Sequence, residues 1–126
     1  MSSLFTAEHE DMRHGIRKFV RLELDPHAEA WEEQGEAPLP QLFKRAGELG
    51  LLGINKPARY GGLELDFSYV MVAAEELGHA HCASIPFAIG AHLSAIPALT
   101  AHGSDALREE FLAPAIRGEA VASIGV

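Results

Sequence analysis

From Pro57 to Gly78 the chain reads P-A-R-Y-G-G-L-E-L-D-F-S-Y-V-M-V-A-A-E-E-L-G. The first half is a loop, because proline fixes φ and the Gly61-Gly62 pair permits positive φ. Asp66 then stands where a helix N-cap stands, its carboxylate ready to accept an orphan backbone N–H. Phe67, Val70, Met71, Ala74 and Leu77 follow at i, i+3, i+4, i+7 and i+10, which predicts one apolar helical stripe facing a core. Glu75 and Glu76 lie off that stripe and are expected in solvent. Gly78 closes the helix as its C′ residue.

Working outward, Thr6 caps a first helix. Glu8, Glu10 and Asp11 sit in its early turns, where the helix dipole favours anions. Met12, Ile16, Phe19, Val20 and Leu24 give its inner stripe, with Arg13, Arg17, Lys18 and Arg21 opposite. Pro26 stops it or starts the next. A short helix from His27 to Gln34 ends at Gly35. Pro40 suits the first turn of a third helix, with Leu42, Phe43, Ala46 and Leu49 inward and Gly50 at its end. The loop from Leu51 to Leu65 opens with an apolar L-L-G-I that should dock into the core. Ile85 to Ala101 carries no charge, so it is expected to be buried on all sides or capped by another domain, with a kink at Pro97. Ser104-Asp105 caps a last helix with Leu107, Phe111 and Leu112 inward, bent at Pro114 and ended by Gly118. Ala120 to Val126 turns β-prone. The class is all-α, an orthogonal bundle of about six helices ending at the start of a β-strand.

The 126 residues carry a formal charge of −8, with 48% hydrophobic and 22% charged residues. That length fits one domain, and that charge excludes a basic nucleic-acid face. Cys82 is the one cysteine, so no internal disulfide can form, which fits a reducing compartment. No signal peptide is visible at the N-terminus, and no window approaches the roughly 20 apolar residues of a membrane span. A cytoplasmic location is expected.

No catalytic set is complete. His79, His81 and Cys82 form the one close cluster of metal-ligand types, but a structural zinc site needs four ligands and the second pair is missing. Histidines at the negative end of a helix are the plainer account. Cys82 reads as a small hydrophobe. Glu75 and Glu76 are adjacent, so they point apart. No phosphate-binding motif follows a strand, and no metal site is predicted.

Several runs, in order, resemble the acyl-CoA dehydrogenases, a family of flavoproteins. They are A-G-E-L-G-L-L-G-I (Ala46–Ile54), P-x-x-Y-G-G-L (from Pro57), A-x-E-E-L-G (ending at Gly78) and H-G-S-D-x-L-R-E-E-F-L-A-P-A-I-R-G-E (His102–Glu119). The resemblance implies that residues 1–120 are the N-terminal helical domain, and that 121–126 begin a middle β-domain whose remainder lies outside this chain. It implies an oxidoreductase of fatty acid metabolism that uses FAD to oxidise an acyl-CoA thioester to its trans-2-enoyl form. The catalytic base, a glutamate of the family's C-terminal domain, would also lie outside. The partners implied are acyl-CoA, an electron-transfer acceptor and further copies of the whole protein, as a tetramer or dimer.

Within this chain the resemblance places Ile124 and Val126 beside the flavin and sets Phe87, Ala91 and Ser94 along the acyl pocket. Two other readings stay open: a non-catalytic helical interaction module, and a family member with oxidase or monooxygenase chemistry.

Overall fold

The computed structural model describes residues 4–126; the start of the chain, where a leader's basic residues would stand, lies outside the described residues. The described residues are helical and contain no strand. They divide into two compact units, residues 4–37 with 66–86, and residues 38–65 with 87–126.

In the first unit, α1 (Ala7–Phe19) starts where Thr6 caps it. The Thr6 backbone N–H donates to His9 Nδ1 at 3.0 Å, so a histidine fills the role glutamate usually plays in a capping box. The chain then continues helically through Val20–Leu24, Asp25–His27 and α2 (Ala28–Gln34), which ends on left-handed Gly35 at φ 68°. Val20–Leu24 is a π-turn: the Asp25 N–H reaches back five residues to the Val20 carbonyl. Pro26 explains it, because a proline ring clashes with the carbonyl four residues before it, and a widened turn relieves that clash. The same device recurs in the second unit, where the π-turn Arg108–Leu112 precedes Pro114.

Helix α4 (Phe67–Leu77) lies against α1 and is capped by Asp66, whose carboxylate accepts the Ser68 N–H at 2.8 Å. Its inner face is not the predicted one. Val72, Ala73, Glu76 and Leu77 are buried, while Phe67, Met71 and Ala74 are exposed. Only Leu77 of the expected stripe is fully inside. Apolar residues occupy both faces of this helix, so periodicity alone cannot choose between them. Glu76, expected in solvent, is 1% exposed because two arginines of α1 neutralise it. Gly78 ends the helix, but in right-handed geometry at φ −64° rather than as a left-handed residue.

In the second unit, α3 (Leu39–Glu48) buries Leu42, Phe43 and Ala46. Leu51, Leu52 and Ile54 dock inside, as the L-L-G-I run predicted. The loop closes on itself, with the Leu63 N–H donating to Gly53 O at 2.8 Å and the Leu65 N–H to Ile54 O at 2.9 Å. Its Tyr60 joins Ile96, Leu112, Ala113, Ala115 and Ile116 in a core. Tyr60 OH donates to Asp105 at 3.0 Å.

The charge-free stretch forms α5 (Ser84–Ala95) and α6 (Pro97–His102), separated at Ile96 because Pro97 opens the second helix. The stretch Ser84–His102, 19 residues long, contains an 18-residue window with a mean hydropathy of 1.3, of which 22% is buried. By length and composition alone it could cross a membrane, contrary to the expectation that no window would.

Beyond it, α7 (Asp105–Leu107) is capped by Ser104 and leads through the π-turn into α8 (Ala113–Ile116). Of the three predicted inward residues only Leu112 is buried; Leu107 and Phe111 are exposed. Gly118 and Gly47 let α3 and α8 meet backbone to backbone. A Cβ on Gly118 would lie 1.9 Å from Phe43 O, and one on Gly47 would lie 2.2 Å from Arg117 O. The predicted strand start, Ala120–Val126, is irregular.

Candidate functional site

Helix α5 presents two unlike faces. Ile89, His92 and Ile96 point into the core, with 1%, 0% and 1% exposure. Phe87, Ala91 and Ser94 share the opposite side and are all exposed, Phe87 to 78%. Within this chain the helix therefore leaves one apolar face open. Its one hydroxyl is engaged, since Ser94 Oγ donates to Gly90 O at 2.8 Å, four residues back along the same helix.

The terminal run is tied to this helix by a residue that sequence reasoning passed over. His92 sits in a charge-free run and was absorbed into its apolar character. Its Nδ1 accepts the Ala122 N–H at 3.0 Å, and its Nε2 bonds Ala115 O at 3.1 Å. The Phe43 ring meets it edge-on, 5.2 Å between centroids. Burial pushes its pKa down, partly opposed by the Ala115 carbonyl. Beyond this tie the chain is open: Ile124 is 61% exposed, and Val126 is exposed. A histidine inside an uncharged, mostly apolar helix was the available signal, since such groups are buried only when fully hydrogen-bonded.

The first unit holds a cleft of about 260 Å³ lined by Arg17, Val20, Arg21, Asp25, Glu76, His79 and His81. At its base Glu76 Oε1 accepts from Arg13 Nη1 at 2.9 Å and Arg17 Nη2 at 2.8 Å, and Oε2 accepts from Arg17 Nε at 2.9 Å. The Arg17 bonds first, then Arg13, hold its pKa at about 2 against the desolvation that would raise it. A carboxylate so held keeps its charge at neutral pH and accepts no proton, so Glu76 is a structural anion. The His81 backbone N–H donates to Asp25 Oδ1 at 2.8 Å. Cys82 is buried, and no three His, Cys, Asp or Glu side chains converge as metal ligands among the described residues.

Residues 6–119 match the family described as acyl-CoA dehydrogenase, N-terminal domain. The probable acyl-CoA dehydrogenase YngJ of Bacillus subtilis (strain 168) is 37% identical over 128 residues, covering 100% of this chain and 33% of that protein. The crystal structure of an acyl-CoA dehydrogenase from Geobacillus kaustophilus superposes with a TM-score of 0.85 at 30% identity, over 96% of this chain and 31% of that one. The acyl-CoA dehydrogenase of Bacillus anthracis, solved in complex with FAD, gives 0.86 at 29% identity, over 94% and 20%. The chain thus spans about a third of the length of its curated relatives. With nearly its whole length matched in sequence and its helices matched in space, the chain belongs to the acyl-CoA dehydrogenase N-terminal domain family.

Proposed function

We infer that the whole protein is an FAD-dependent acyl-CoA dehydrogenase, and that this chain is its N-terminal helical domain (residues 1–120) with residues 121–126 opening a middle β-domain. The open face of α5 carries the reading. Phe87, Ala91 and Ser94 offer an apolar, charge-free wall whose only hydroxyl is already bonded to its own helix. Ligand sites for apolar chains are lined in this way, with few free polar groups.

The terminal segment fits a flat ring with a polar edge. Among the described residues, 123–126 enter no backbone hydrogen bond, and Ile124 and Val126 present exposed apolar side chains. Bound there, FAD supplies the hydride acceptor for α,β-dehydrogenation of the thioester. The chain's own residues bind and exclude: Phe87 and Ala91 shelter the acyl chain from water, and Ile124 and Val126 border the ring. No carboxylate lies among them, and the base in this reading is a glutamate of the whole protein's C-terminal domain.

In this reading acyl-CoA is the substrate, an electron-transfer protein takes the electrons, and the whole protein is a cytoplasmic homo-oligomer, tetrameric or dimeric. The test is the visible spectrum of the natural full-length protein under anaerobic conditions, with acyl-CoAs of increasing chain length. A flavin band that bleaches with one length class supports the reading. A colourless protein that binds no FAD refutes it. Bleaching followed by rapid oxygen consumption in air would move the assignment to an oxidase. Ala91→Leu should shift the preferred length toward shorter chains.

A further inference from the structure

The geometry points to His92 as a positioning residue: a neutral imidazole, protonated on Nε2, that pins Ala122 to α5 and so sets where Ile124 and Val126 stand in the proposed flavin site. The inference rests on the flavin reading for its consequence, but not for its geometry.

Each ring nitrogen has one backbone partner, and the chemistry of those partners dictates the tautomer. The Ala122 N–H can only donate, so Nδ1 must be the bare nitrogen. The Ala115 carbonyl can only accept, so Nε2 must carry the proton. The ring has no freedom to exchange these roles, because it is 0% exposed and the Phe43 ring meets it edge-on. Ala115 lies in α8, which is itself locked to α3 through Gly47 and Gly118. The imidazole is therefore a rigid spacer between a fixed carbonyl and the first residues of an otherwise open segment.

The leverage is short. Ile124 lies two residues past the tie and Val126 four, or roughly 7 and 13 Å of extended chain. Ala122 also packs against the core that holds Ile96 and Ile116, so the tie and the packing act at one point. Sliding the segment by one residue would exchange which side chains face the ring. The hydrogen bond to Nδ1 opposes such a slip, because it selects one backbone N–H.

Two substitutions separate positioning from mere filling of space. His92→Asn places an amide oxygen near the site of Nδ1 and retains an acceptor for Ala122. His92→Gln reaches toward Ala115 but leaves the Ala122 N–H without its acceptor. Both should be made in the natural full-length holoprotein, with hydrogen exchange of the peptide covering 119–126 and the rate of flavin bleaching by saturating acyl-CoA as readouts. For Gln, exchange at Ala122 should rise and bleaching should slow, each by roughly tenfold, the equivalent of one lost hydrogen bond. Asn should stay within about threefold on both.

Equal losses for Asn and Gln would overturn the inference, as would unchanged exchange at Ala122 in Gln. Raised exchange with unchanged bleaching would overturn the positioning role and leave the flavin reading standing. A protein without FAD overturns both the proposed function and this role, while the exchange comparison still reads the tie. If neither variant folds, the imidazole ¹⁵N shifts of the unaltered protein decide, and a protonated Nδ1 refutes the assignment.

Discussion

Replacing Glu76 with glutamine keeps its shape and removes its charge. The fold holds this carboxyl at about 2 against an ordinary 4.5. The difference of roughly 2.5 units, at about 1.36 kcal/mol each, gives on the order of 3 kcal/mol. The acceptor geometry agrees with that size: both oxygens of a 1% exposed group are taken by guanidinium N–H donors. Losing one partner of such a buried pair costs about 3–5 kcal/mol, and the low end applies here. Arg13 keeps Glu75 at 2.7 Å, and Arg17, at 43% exposure, can turn to water.

The sign of the pH dependence follows from a depressed acid. The contribution is complete above the unfolded pKa near 4.5 and is lost as pH falls toward 2. Urea titration followed by circular dichroism should therefore show Glu76→Gln about 3 kcal/mol less stable at pH 7, with Tm lower by roughly 10 °C. At pH 3 the gap should narrow to about 1 kcal/mol. Glu75→Gln, at a 54% exposed ion pair, should cost under about 1 kcal/mol. If the two substitutions cost the same, or the Glu76 gap is as wide at pH 3 as at pH 7, the account of the buried anion is wrong.

Gly118→Ala should cost on the order of 3 kcal/mol or more, since φ is +72° and the new Cβ meets Phe43 O. Gly35→Ala, at φ +68° with nothing within 4 Å, should cost about 1 kcal/mol, and thermal melts giving equal losses would sink the close-approach argument. Tyr60→Phe should lose about 1 kcal/mol in urea titration, because Asp105 is 63% exposed and regains water. Asp66→Ala should likewise cost about 1 kcal/mol, and glycine there clearly less; the reverse order would remove the capping role.

The caps were legible because capping is local chemistry. Thr6, Asp66 and Ser104 begin helices, Gly35 ends one in left-handed geometry, and Pro97 divides the apolar stretch. Faces were less legible. On α4, Phe67 and Met71 are as apolar as Val72 and Leu77, so nothing within the helix says which side meets α1. Glu76 was misplaced because a carboxylate reads as solvated until its partners are known, and Arg13 and Arg17 lie some 60 residues away in the chain. The β-prone terminal run has no strand in the described residues, since a strand is a pairing rather than a propensity. His92 shows the same limit from the other side: its worth lies in two backbone groups that only the fold brings to it.

The π-turns before Pro26 and Pro114 have a consequence for how this chain tolerates change. Each holds one residue more than an α-helical turn would, so each resets the angular count by roughly 100°. An extra residue already absorbed here is also one that can be given back. A single deletion within Val20–Leu24 would give that residue back, but it would restore the clash between the Pro26 ring and the carbonyl four residues before it and disturb the buried Val20 and Leu24. The prolines thus fix the one-residue surplus in place, and the length of this fold is set at these two turns.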